Sequence, residues 1–302
     1  MRRRSDLPVA VEEQAVQPGS SKNATPRGEE PSGAAVASGE ISLVGRRLAA
    51  LARNCAIAVL VLAVIVGIWD AVTVIWAMPA DVLPPPLLVA RTLWDNGGVL
   101  ASNTKETAIE MLVGFLLAGG IGVLIGALIA RTGHVARAAR TGVLWAQLVP
   151  KVAIGPLFVA WFGIGYSPKF VFVFLMCFFP VAINSAAGFS SLPADVRDLS
   201  HILNMSRLTR LRRLELPWAL PQILTGLKIS ASFAVVAALV YEFVGSDAGL
   251  GYVINTSQGN LNMALAFAAF VVVTALGMLL YGAVALAETL LIPWHVSKRS
   301  PN

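Results

Sequence analysis

Long apolar runs separated by short polar connections set the pattern of this chain. Six of them, at about 55–78, 109–130, 143–164, 170–189, 220–244 and 263–292, carry few charges over some twenty residues each. A hydrocarbon layer about 30 Å thick needs roughly 20 helical residues to cross it, so each run is long enough. None alternates apolar with polar residues as barrel strands do. In lipid the backbone must satisfy its own hydrogen bonds, which leaves helices. The pattern predicts an all-α polytopic membrane protein with six transmembrane helices.

The connections differ in charge. Arg46, Arg47 and Arg53 precede the first run; Arg131, Arg137 and Arg140 separate the second from the third; Arg197, Arg207, Arg210, Arg212 and Arg213 separate the fourth from the fifth; Lys298 and Arg299 follow the sixth. Residues 79–108, 165–169 and 245–262 carry few or balanced charges. Basic connections stay on the cytoplasmic side, so both termini and the 191–217 connection are expected there. Trp76, Trp94, Trp161 and Trp294 fall near run ends or in adjoining connections, where an indole anchors at the interface. In the second run Gly114, Gly119, Gly120, Gly122 and Gly126 permit close helix approach, with Gly122 and Gly126 a GxxxG pair.

Composition agrees. The chain is 56% hydrophobic and 13% charged, which excludes an ordinary soluble domain. Its net charge of +6 reports topology, because the arginines gather between runs, and calls for no nucleic-acid partner. Cys55 and Cys177 sit singly in apolar runs and give neither a metal spacing nor a disulfide framework. Residues 1–48 form a pre-span segment whose first part, rich in Pro, Gly, Ser, Glu and Ala, is expected to be a disordered cytoplasmic tail. Residues 49–106 then hold the first transmembrane helix and an outer connection, 107–296 a core of five helices, and 297–302 a cytoplasmic end.

The 192–217 stretch interrupts the apolar pattern with arginines. Leu199, Leu203, Leu208, Leu211 and Leu214 recur at helical spacing, and Arg207, Arg210 and Arg213 form a second stripe, as in two short amphipathic helices. Asn204 tolerates the left-handed conformation that closes a helix, and Ser206 can cap the next one. The stretch resembles the EAA loop of permease subunits of bacterial ABC importers, in which Glu-Ala-Ala, three residues, Gly, nine residues and Ile-x-Leu-Pro make a helix-turn-helix that docks into the ATPase. Here the triplet falls on Asp198, Leu199 and Ser200, the glycine on Asn204, and the closing element on Leu214, Glu215, Leu216 and Pro217. The departures are Asp for Glu, Leu-Ser for Ala-Ala, Asn for Gly and Leu for Ile. The resemblance makes Asp198, Leu199, Ser200, Asn204, Arg207, Arg210, Leu214, Leu216 and Pro217 the expected ATPase contact.

It extends over 107–296, through Leu148 to Phe158 (LVPKVAIGPLF), Trp161 to Gly165 (WFGIG), Phe178 to Asn184 (FFPVAIN), Leu220 to Ile229 (LPQILTGLKI) and Glu242 to Tyr252 (EFVGSDAGLGY). These segments are similar to the permeases of the nitrate, sulfonate and taurine branch. Some of that branch carry thiamine-pyrimidine precursors, riboflavin or aromatic acids. The resemblance implies a bacterial inner-membrane importer permease that works as a homodimer amid membrane lipid, with an ABC ATPase subunit and a periplasmic or lipid-anchored substrate-binding protein. It implies no catalytic or metal-ligating residue on this chain, with ATP and Mg on the ATPase. No Gly-x-x-x-x-Gly-Lys-Ser/Thr phosphate loop occurs in the sequence.

Candidate pathway or gate residues are Lys151, Pro156, Pro180, Lys228 and Glu242. Pro150, Pro156 and Pro180 remove backbone hydrogen bonds, giving kinks that either serve packing or leave carbonyls to a pore. Lys151 either snorkels at a run end or lines the inward mouth. Lys228 and Glu242 share the fifth run. A lysine at the bilayer centre costs about 2.5–3.5 kcal/mol, which places Lys228 toward the cytoplasm and Glu242 toward the outer mouth, as a gate residue or as an interfacial one. The competing classes are an ion-coupled secondary transporter and a membrane enzyme. The first would place carboxylates at the midplane, whereas Asp70, Glu110, Glu242 and Glu288 are read toward run ends; the second would cluster the scattered His134, His201 and His295.

Overall fold

The computed structural model describes Arg53, residues 56–130, Ala138, 141–143, Trp145 and 148–292. The tail, Cys55, the arginines at 131, 137 and 140, and everything after Ile292 lie outside the described residues. The chain divides into compact units at 1–63 and 64–302. Of the first, Arg53 and the opening turns of helix α1 (Ala56–Ile75) are described. The second holds the remainder, and its described residues form no strand.

Helix α2 (Pro86–Asp95) begins with proline at its first turn, where the missing N–H costs nothing. Helix α3 spans Gly97–Ile129, α4 Lys151–Phe162 and α5 Tyr166–Ser190. Helix α6 (Ala194–Ile202) leads by a turn into α7, which runs unbroken over Arg207–Gly245. Helix α8 (Leu250–Gly259) and α9 (Met263–Leu291) complete the fold. Five of these, α1, α3, α5, α7 and α9, are long and apolar enough to span a membrane.

The third expected span is the exception. Where 143–164 was expected, α4 has 12 residues, about 18 Å of rise, short of the hydrocarbon thickness. Pro150 does not kink this helix but stands before its first residue, at φ −70° and ψ 81°. At the other end Gly163 takes φ +74°, a conformation that stops a helix at little cost only with glycine. The 79–108 connection also differs from expectation. Most of it is α2 and the opening of α3, which starts at Gly97 rather than 109.

Helices α3, α5 and α7 make the principal core, built from Met111, Phe115, Phe172, Met176, Ala234 and Tyr241. The expected close approach of α3 is present: a side chain at Gly122 would lie 2.9 Å from Val181 Cβ, and one at Gly126 would collide with Ser185 of α5. Gly120 faces open space. Cys177 is wholly buried in this core, its thiol donating to the Ser230 carbonyl at 3.3 Å and its own carbonyl accepting from Ser230 Oγ at 2.8 Å. A second cluster joins Val89, Leu100, Leu250, Ile254, Ala269 and Val273, with Trp69 tilted against Phe267 at 5.6 Å between ring centres.

Candidate functional site

The 191–217 segment closes as its residues dictate. Asn204 adopts φ +49°, while the Met205 N–H donates to the Ser200 carbonyl at 3.1 Å, the long bond of a Schellman closure. Ser206 caps the next helix by accepting from the Thr209 N–H at 3.2 Å. The second helix is not short, however. It passes through a π-helical turn, Leu211–Glu215, directly into the fifth span. Pro217 cannot donate to the carbonyl of Arg213, and the wider turn lets the chain pass that position without ending the helix. From Arg207 on, the segment is thus one helix with the fifth span.

Its faces are divided. Leu199, Ile202, Leu203 and Leu208 are exposed, at 53%, 76%, 63% and 57%, beside exposed Asp198, Asn204 and Arg207. Ser200 is buried, its hydroxyl donating to the Arg197 carbonyl at 2.6 Å. Arg210 pairs with Glu215 at 2.9 Å and is half-buried, as are Leu214 and Pro217, while Leu216 is exposed. Leu211 leaves the expected apolar stripe and packs on Phe189, Ala219 and Ile223.

The pathway candidates separate into groups. Lys151 holds its ammonium 4.7 Å from the centre of the Phe179 ring and borders a cavity of about 280 Å³ with Val152, Met176, Pro180 and Phe233. Pro180 is buried and its carbonyl accepts from Asn184 Nδ2 at 2.8 Å, whereas Pro156 is exposed and away from that cavity. Lys228 pairs with Glu288 of α9, both partly buried. Glu242 is 1% exposed and lies inside the helix packing.

Around Glu242 the structure gathers residues that the sequence reading left apart. Its Oε1 accepts from Thr107 Oγ1 at 2.7 Å and its Oε2 from the Gly251 N–H at 2.5 Å. Thr107 in turn accepts from the Leu250 N–H at 2.8 Å, and Asn103 from the Gly249 N–H at 2.8 Å. Beside them Lys169 Nζ meets Glu110 Oε1 at 2.5 Å, both fully buried. The apolar pattern puts Lys169 in the 165–169 connection and Glu110 near the end of a run. Two opposite charges flanking apolar runs that share one end of the topology are the signal that could have paired them.

Three spans packed through small residues, a cationic helix-turn-helix continuous with one of them and an apolar cavity with a lysine at its edge define an integral membrane permease. Residues 122–293 match the model of the binding-protein-dependent transport system inner membrane component, and the chain belongs to that family. It is 32% identical over 222 residues to a probable ABC transporter permease protein of Haemophilus influenzae, covering 74% of this chain and 91% of that one. The riboflavin transport system permease protein RibX of Chloroflexus aurantiacus is also 32% identical, over 76% of this chain and 86% of its own. A putative aliphatic sulfonates transport permease of Bacillus subtilis is 30% identical over 78% and 86%. A chain of the MetNI methionine ABC transporter, solved in inward-facing conformations, shares the fold with a TM-score of 0.56 at 18% identity, over 64% of this chain and 96% of that chain. The protein is a permease of the ABC importer class.

Proposed function

We propose that two copies of this chain form the pathway of an inner-membrane importer, with both termini and the 191–217 segment in the cytoplasm. A periplasmic or lipid-anchored binding protein delivers the solute. A separate ATPase, holding ATP and Mg, docks on Asp198, Leu199, Asn204, Arg207 and their neighbours. The observation that carries this reading is the exposed row Leu199, Ile202, Leu203 and Leu208 on an arginine-rich segment, which basic residues place outside the lipid. Large apolar side chains clustered on a water-facing surface mark a partner site. Because the Arg207–Glu215 half of the segment is the start of α7, a push on it reaches the core that α7 builds with α3 and α5.

For the cargo we favour a small organic or inorganic solute of the nitrate, sulfonate or taurine type. Relatives named for taurine and nitrate transport support it. Riboflavin or a thiamine-pyrimidine precursor is the second reading, supported by relatives named for riboflavin and formylaminopyrimidine transport.

The test is co-purification with the ATPase together with ATP-driven uptake in vesicles. Asp198→Arg reverses a charge at the contact, and Asn204→Val forces a β-branched residue into φ +49°. Both should reduce ATPase recovery and uptake while leaving membrane insertion intact. Full recovery and uptake in both variants would sink the docking assignment.

A further inference from the structure

Four polar or charged side chains, Thr107, Glu110, Lys169 and Glu242, are between 0% and 4% exposed where α3, α5, α7 and the start of α8 meet. With every acid ionised the junction would hold two carboxylates against one ammonium. The hydrogen bonds say where that imbalance falls. Both oxygens of Glu242 are supplied, by the Thr107 hydroxyl and the Gly251 N–H. One oxygen of Glu110 accepts from Lys169, but Glu110 Oε2 is buried and no donor among the described residues reaches it.

A buried carboxylate oxygen without a donor is costly, and a like charge alongside makes it more so. Glu110 has such a neighbour, for Glu242 is held by Thr107, one helical turn back along the same face of α3. The other ionisable groups around the pair do not relieve this. Glu106 is a further acid on α3, Tyr166 donates to Glu106, and Tyr241 donates to the Gly163 carbonyl. Lys169 is already engaged, and Asp247 adds more negative charge near Tyr166. No group of three or more His, Cys, Asp or Glu among the described residues is placed to hold a metal ion.

We propose that this junction is a proton-binding site: Glu110 carries a proton on Oε2, which makes the junction one neutral acid, one ammonium and one carboxylate. The proton comes from solvent when the junction closes. It neutralises the orphaned oxygen and removes the like-charge repulsion in one step. It also completes a latch, because Lys169 anchors Glu110 to α5 while Glu242 and Thr107 hold the first N–H groups of α8. Any opening between α3 and the α7–α8 corner must break the Thr107 to Glu242 and Leu250 to Thr107 bonds, so the charge-balanced junction holds this end of the helix bundle shut. The inference stands whatever solute or ATPase the permease uses.

A glutamine at 110 distinguishes the protonated from the ionised state. If Glu110 is neutral, Glu110→Gln is close to isosteric, its oxygen still accepting from Lys169 and its amide standing where the protonated oxygen stood. If Glu110 is ionised, the same change strips the buried Lys169 of its counter-charge. In purified full-length protein in lipid nanodiscs, Glu110→Gln should unfold within a few degrees of wild type and Glu110→Ala well below it. Infrared spectra should show a protonated carboxyl carbonyl band in wild type, shifted in deuterium oxide and lost in Glu110→Gln. The proposal is overturned if Glu110→Gln fails to fold, if it melts as low as Glu110→Ala, or if the carboxyl band is the same with and without Glu110.

Discussion

The side chain of Glu242, near the end of α7, accepts the backbone N–H of Gly251 at 2.5 Å and so seats the first turn of α8 on the helix that precedes it. The contact requires the absence of side chains around it. A Cβ at Gly251 would lie 2.7 Å from Glu242 Cβ and 3.1 Å from the Leu239 carbonyl, and one at Gly249, where φ is +109°, would meet the carboxylate itself. An acid and the two glycines around it thus act as one unit, and the Glu-x₈-Gly spacing is legible in the sequence.

That unit gives the first prediction. Gly251→Ala should destabilise the purified protein by about 1–3 kcal/mol, the usual cost of forcing a group into filled space. Gly259→Ala, where nothing lies within 4 Å, should be close to neutral. Thermal unfolding of the two variants in the same detergent reads the difference, and equal midpoints would show that Glu242 moves aside freely.

The α3–α5 contact gives the second. Gly122→Leu must displace Val181 and should cost at least the 1–3 kcal/mol of ordinary overpacking, whereas Gly120→Leu projects into open space. The folded yield after extraction should therefore fall for position 122 and hold for position 120. A reversed order would mean that α3 turns a different face to α5.

Much of this arrangement could be read from the chain. Five spans, the turn at Asn204 and the cap at Ser206 follow from local rules: apolar length, tolerance of positive φ, and a hydroxyl ahead of a helix. What escaped depends on tertiary partners. Pro150 reads equally well as a kink or as a helix boundary until its neighbours are placed. The continuity of α7 past Pro217 relies on a π-helical turn that no residue type announces. Glu110 looked terminal because an apolar window excludes the polar turns 97–108, which are helical through packing of Leu100 and Thr107 rather than through hydropathy. The docking role of 191–217 rests on resemblance and on its exposed leucines, and binding experiments decide it.

Orientation gives the third prediction. In a background with both cysteines replaced by alanine, Leu203→Cys should resist an impermeant thiol reagent in intact cells and react once the membrane is opened. Gly259→Cys, at the exposed end of α8, should react from outside. Labelling of position 203 in intact cells would invert the topology drawn from the arginines.

The last prediction concerns the Lys228 to Glu288 pair, which joins α7 to α9. The side chains are 22% and 31% exposed, so the pair is neither a surface contact nor a fully buried one. Removing one partner leaves a charge among apolar helices, while removing both removes the problem with the contact. Lys228→Met and Glu288→Leu should each therefore destabilise by about 1–3 kcal/mol, and the double variant should recover most of that loss, giving a coupling energy of about 1 kcal/mol or more. Thermal unfolding of the four proteins in one lipid composition supplies the cycle. Strictly additive losses would show that the two residues act separately, with Lys228 reaching the interface along its own stem rather than leaning on α9.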